Sequence, residues 1–342
     1  MQVNGKEFGK DLVVIAECGS THQGDINKAI KCVDAAIDSG ADAIKMIMSD
    51  ASELIADKSI KYEGKSLYDT IKSYELTDDE WRKIGAYCRK KKFPFYVSVG
   101  TENYIDLAVE VGSFCIKNGG WDTRSFFMIE KAIESGLPLQ FDLGAVIVGE
   151  VDNLIRYIRE RSDVDISLVY ESHGELNMLS IPYLRKTYKD IPIGFSSDNR
   201  CITPDKIAIL YGASSIEKRI KPDSMPGHHR SKALDPTEFK NWVKEIRKLE
   251  DNRGNIKIKD EDKCLLGREG LFPSLKDMQH KNLYFTSLCY SKDMKKGDVI
   301  DRSKLCAKRP GNGISPYYSY LWEGKKLTKD VKKDTICELV HV

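Results

Sequence analysis

The sequence predicts an α/β protein: a closed (β/α)8 barrel of the TIM type, followed by a small β-rich module. Three observations carry this expectation. Short apolar runs alternate with longer amphipathic stretches from residue 12 onward, the pattern of parallel strands joined by crossover helices. The runs number eight, at 12–17, 42–47, 94–98, 114–117, 139–143, 167–170, 193–196 and 215–218, which fits a closed barrel better than an open sheet. The 342 residues, 41% hydrophobic, suffice for one large domain and a small second one.

Taken in order, the first run leads to a turn in which Asp25 is placed as a helix N-cap. A helix over 26–39 follows, because Ile26, Ile30, Val33 and Ile37 recur at spacings of 3 or 4 and Gly40 supplies a stop. Residues 49–75, after the second run, exceed ordinary loop length and predict a lid or a substrate-side structure. The next helix closes on Arg89-Lys90-Lys91-Lys92, where cations complement the helix dipole, and that run reads as a solvated face. A last barrel helix near 236–249 completes a first domain over 1–250. Residues 251–282, rich in charge and glycine and poor in periodicity, read as a linker. Over 283–342 short β-like runs and turns predict a compact second domain, in which Tyr317, Tyr318, Tyr320 and Trp322 belong to core or interface.

Charge excludes some functions. Lys and Arg total 54 against 52 Asp and Glu, so nucleic acid and anionic membrane are not expected partners. No stretch approaches the ~20 apolar residues of a membrane helix. Nine scattered cysteines without a CxxC pair indicate neither a disulfide framework nor a zinc ribbon, and a reducing cytoplasm is the expected compartment.

In such a barrel the inward residues at the C-terminal strand ends build the active site. Those positions collect Glu17, His22, Gln23, Lys45, Ser98, Lys117, Asn118, Asp142, Tyr170, Glu171 and His173. The last two strands add Ser196, Ser197, Asp198 and Asn199, then Glu217, Lys218 and Arg219. Lysines and hydroxyls converging on one mouth suit a phosphate or carboxylate substrate. Lys45 has a structural reading as well, as an internal ion-pair partner of Glu17 or Glu217. Strand alternation turns only one of each neighbouring pair inward, so Glu171 and Lys218 are not both expected to line the site.

Several segments resemble the sialic acid synthase family: 15–25 (IAECGSTHQGD), 40–45 (GADAIK), 216–219 (IEKR), 225–229 (MPGHH) and 308–314 (KRPGNGI). The likeness runs nearly end to end. It implies a (β/α)8 barrel with a C-terminal antifreeze-like (SAF) domain, to which 293–305 and 308–314 are similar. It also implies condensation of phosphoenolpyruvate with an aldehyde sugar to a sialic-acid-like 2-keto-3-deoxy sugar acid, with release of phosphate. By that resemblance Glu17 is the active-site glutamate, Lys45 contacts phosphoenolpyruvate, Ser98 lies beside it and Ser196 contacts phosphate. Arg309 matches an SAF arginine that reaches into the partner subunit's barrel, implying a domain-swapped homodimer.

The departures fall at the site. Two family histidines that hold a divalent metal are replaced by Asp198 and Arg219. A lysine of strand four aligns with Cys115, with Lys117 two residues on, and Asn118 and Asp142 replace phosphate-binding serines. His228 and His229 enter the rim where the sugar is recognised. Two readings of the metal follow. Either Arg219 and Asn199 replace the ion, with Arg219 polarising the aldehyde oxygen, or Asp198, His228 and His229, with His173 as a lesser candidate, rebuild a site for a divalent ion such as Mn2+ or Mg2+. Adjacent histidines diverge in an extended segment, so at most one would bind. Two functions remain: an active synthase with Glu17, Lys45 and Arg219 catalytic, or a barrel that has lost the donor and metal sites. The second would bind a related sugar or serve as a non-catalytic partner in glycan biosynthesis.

Overall fold

The computed structural model describes residues 1–62 and 64–342, and the eight runs form one closed parallel barrel. Its strands are β1 (Val13–Gly19), β2 (Ala43–Met48), β3 (Phe95–Val99) and β4 (Ile116–Asn118). They continue with β5 (Leu139–Asp142), β6 (Ile166–Tyr170), β7 (Ile193–Ser197) and β8 (Ser215–Arg219). β8 closes on β1 in a register that sets Arg219 opposite Glu17. Period-two alternation divides each strand between two environments. Val14, Ala16, Cys18, Ile44 and Met46 face the outer helices, while Val13, Ile15, Ala43, Tyr96 and Cys115 fill the bottom of the lumen. Val3 and Phe8, from the N-terminal segment that carries a hairpin of Gln2–Val3 and Lys6–Glu7, plug that end.

The helices obey local signals. In α1 (Ile26–Ser39), Asp25 accepts from the Asn27 and Lys28 amides and Gly40, at φ 79°, ends the helix. In α2 (Asp78–Lys91) a Thr77–Glu80 capping box starts the helix, and Arg89, Lys90 and Lys91 occupy its last turn. The remaining crossover helices are α3 (Tyr104–Glu110), α4 (Phe126–Glu134), α5 (Val148–Arg159), α6 (Ser180–Thr187) and α7 (Thr203–Leu210). The sixteen-residue α8 (Pro236–Asp251) then packs beside α1. No helix among the described residues is long and apolar enough to cross a membrane.

The long insertion folds into two short helices, Ala51–Leu54 and Leu67–Lys72, which flank a small hairpin. Its Leu54, Ile55, Leu67, Ile71 and Tyr74 form a core shared with Leu283 and Tyr284. The segment expected to be a linker is more ordered than its composition suggested. It carries α9 (Leu275–Tyr284), which runs across the expected 282/283 boundary. This helix is weakly amphipathic and is fixed by polar contacts: Asp277 accepts from Ser274, from the Ser172 hydroxyl and from the His173 amide.

The C-terminal module pairs β9 (Ser287–Tyr290) with β10 (Leu305–Lys308) over a core of Leu288, Tyr290, Met294, Ile300, Leu305 and Trp322. Trp322 is core and Tyr317 packs on Phe126 of α4, whereas Tyr320 is 61% exposed. Arg309, which the resemblance assigns to a partner's barrel, touches the insertion after β2 within the single chain. The Lys308 ammonium donates to Ser52 O at 2.8 Å, the Arg309 amide to Leu54 O at 2.8 Å and the Ala56 amide to Arg309 O at 2.9 Å. Arg302 of the module pairs with Glu130 of α4, and Lys281 of α9 with Glu150 of α5.

Candidate active site

Inward alternation stacks a charged layer directly above the apolar floor. Glu217 of β8, with no solvent exposure, is its hub. Its carboxylate receives the Lys45 ammonium at 2.9 Å, the Lys117 ammonium at 2.6 Å and the Tyr96 hydroxyl at 3.1 Å. Lys45 also meets Glu17 at 3.0 Å, and Lys117 meets Asp142 at 2.9 Å. Burying such charges costs several kcal/mol each unless they are paired, and here each ammonium has two carboxylates. Burial alone would raise Glu217, yet Lys117 and Lys45 overrule it and hold the carboxyl at about 2. Burial opposes the Lys45 charge, but Glu17 and Glu217 drive its pKa well above the usual lysine range.

A second layer lies nearer the mouth. The Arg219 guanidinium reaches Glu17 at 3.4 Å and Asp198 at 3.1 Å, and Asp198 also binds Lys232. Burial raises Glu17 less than Arg219 and Lys45 lower it, so this carboxylate lies below its ordinary range. Asp142 is shifted the other way, lifted by burial in spite of Lys117 and Lys45. Ser196 is buried on the inward side of β7, in phase with Asp198, and Ser98 is half-buried on the Tyr96 side of β3.

Other expected residues are arranged differently. Asn118 alternates to the opposite side of β4 from Lys117, and neither of its buried side-chain polar atoms has a hydrogen-bond partner among the described residues. His228 and His229 do not diverge: their rings lie 3.7 Å apart, because His229 adopts φ 62° and folds the segment back. The His229 Nδ1 shares a hydrogen bond with the Ser20 hydroxyl at 3.0 Å, and His228 stacks on Tyr74. Burial, then Arg219, pushes His229 well below its usual range, leaving a neutral imidazole at the rim. Arg309 stands outside the ionic layers, 5% exposed, with its guanidinium 5.0 Å from the Trp121 ring and 5.2 Å from the Tyr284 ring.

The donor set does not suit the divalent metal that the resemblance implied. Asp198 is engaged by two cations, Arg219 places a fixed positive charge at the second ligand position, and both imidazoles have other partners. Among the described residues no group of three or more His, Cys, Asp or Glu is placed to hold a metal ion.

Lys117 and Glu217 carry more of the site than their spacing alone revealed. The signal for Lys117 was its parity with Cys115: both point inward, with the ammonium one layer higher. Glu171 points inward and Lys218 outward, where it pairs with Asp205 at 2.7 Å beneath Trp242. The half-buried rings of His280 and Tyr284 reach the mouth from α9, which periodicity did not reveal.

Comparison with known proteins places this geometry. The profile described as NeuB family matches residues 32–258, about two thirds of the chain. The chain belongs to the NeuB family. It is 27% identical to the spore coat polysaccharide biosynthesis protein SpsE of Bacillus subtilis, over 98% of this chain and 95% of that one. It is 26% identical to the N,N'-diacetyllegionaminic acid synthase of Campylobacter jejuni, over 96% of this chain and 99% of that one. The crystal structure of Bacillus subtilis SpsE superposes with a TM-score of 0.85 at 25% identity, covering 100% of this chain and 98% of that chain. The family match ends at residue 258, and the likeness to that crystal structure extends over the C-terminal module as well.

Proposed function

We propose that the protein condenses phosphoenolpyruvate with an aldehyde sugar, releasing phosphate and forming a sialic-acid-like 2-keto-3-deoxy sugar acid. The observation that carries the reading is the buried pair of ammonium groups, Lys45 and Lys117, set under a barrel mouth lined by ionisable side chains. Membership of the NeuB family and synthase names among similar proteins support it. In this reading Lys45 and Lys117 exchange a carboxylate partner for the donor's phosphate or carboxylate, assisted by the Ser98 and Ser196 hydroxyls. Asp142 is a partner of Lys117, so its charge is neutralised locally instead of facing the donor alone. Arg219, oriented by Asp198, polarises the acceptor's carbonyl oxygen without a metal. Ionised Glu17 accepts a proton near the reacting carbons. His229 and Arg309 meet the acceptor at the rim. Asn118, facing away from Lys117, acts through packing. The module keeps the SAF-like role of covering the mouth.

A second reading, a sugar-binding barrel without turnover, draws on the fact that both ammonium groups already have carboxylate partners. Phosphate release from phosphoenolpyruvate with a panel of hexosamines and shorter aldoses separates the two. Aldehyde-dependent release is the expected result; sugar binding with no release across the panel would establish the second reading.

A further inference from the structure

Five carboxyl groups face the upper barrel: Glu17, Asp142, Glu171, Asp198 and Glu217. Four have a cation within ion-pairing distance. Glu171 has none among the described residues, although it is only 9% exposed. It follows Tyr170 at the C-terminal end of β6, in phase with the inward Ser167 and Val169. The charged groups that act on it come from around the barrel: Asp142 of the adjacent β5, Lys117 of β4, Asp198 after the adjacent β7, Glu17 of β1 and Arg219 of β8. His173, on its own loop, shares its position against the backbone: a Cβ at Gly144 would lie 3.1 Å from His173 Nε2 and 3.5 Å from Glu171 Oε2. His173 is kept neutral by burial, so it offers no cation. A buried carboxylate among four others and without an ion-pairing partner is strongly disfavoured. Burial, reinforced by Asp142, lifts Glu171 well above the carboxylate range.

Resting on the condensation reading above, we propose that Glu171 is the acid of the site, a neutral carboxyl that gives its proton to the aldehyde oxygen as the carbon–carbon bond forms. The donor's enol π pair makes the new bond, and the acceptor's C=O π pair moves to oxygen, which takes the Glu171 proton. Water adds to the electron-deficient donor carbon and passes its proton to ionised Glu17, from which solvent carries it back to Glu171. Phosphate then departs with the remaining hydroxyl proton as the ketone forms. Glu17 and Glu171 thus divide base and acid roles because their environments push them in opposite directions. An anionic donor also enters more readily when one of five acids carries no charge.

The test is Glu171→Gln in the full chain, which preserves volume and neutrality but carries no transferable proton. Infrared difference spectra at neutral pH should show a carboxylic-acid C=O band that disappears in the variant. kcat should fall by about 10²-fold or more while phosphoenolpyruvate affinity is kept, and the alkaline limb of the wild-type pH profile should vanish. An unchanged C=O band, a wild-type rate or a persisting alkaline limb would overturn the assignment while leaving the donor reading intact. If the wild-type chain turns over no combination of phosphoenolpyruvate and aldehyde, the donor reading fails and the acid role fails with it.

Discussion

At the residue scale, the ionic layer makes the sharpest demands. Lys45→Ala should abolish turnover, because the donor loses its anchor, while circular dichroism and oligomeric state stay as in the wild type. Glu17→Gln should lower kcat by about 10²-fold, and a loss confined to melting temperature would mark it as purely structural. Glu217 predicts a pH dependence of stability. Its folded pKa of about 2 lies below that of an unfolded glutamate, so its stabilisation is complete above the unfolded value and is lost as pH falls towards 2. Glu217→Gln, which leaves two buried ammonium groups short of a partner, should cost about 3–5 kcal/mol at neutral pH. Urea midpoints measured from pH 7 to 3 should converge for the two proteins, and parallel curves would refute the hub role. Much of this layer was legible, since parity along β2, β5 and β8 points Lys45, Asp142 and Arg219 inward. The pairing of Lys117 with Glu217 was not, because sequence supplies parity without the lateral register that brings two strands' side chains together.

At the element scale, the eight strands and α1 were legible because a two-residue or 3.6-residue apolar period is imposed by burial on one face. α9 was not, for a physical reason: it buries little apolar surface and depends on a capping serine and on Asp277, whose carboxylate gathers donors from two segments. Asp277→Ala should therefore loosen α9 specifically. The expected outcome is faster proteolysis within 275–284 with barrel helicity retained, and a few degrees' loss of melting temperature, as removal of a buried multiple acceptor costs about 1–3 kcal/mol. Unaltered proteolysis would show that the helix is held by its neighbours instead. His228 and His229 teach the complementary lesson. An extended segment would have separated their rings, and only the left-handed backbone at His229 brings them together.

At the scale of the whole molecule, the module lies against the insertion after β2 of the same chain. Mixing Lys45→Ala and Arg309→Ala proteins under conditions that allow subunits to exchange should restore no activity, because each chain carries one defective site. Recovery of activity on mixing would show that modules are exchanged between subunits. The backbone bonds that join Leu54 and Ala56 to Arg309 reach further than architecture. They tie the insertion after β2 to the module across the mouth, so neither can swing away while the other stays seated. The protection of the Ala56 and Arg309 amides against hydrogen exchange should then decay at a single common rate, since opening either segment opens both.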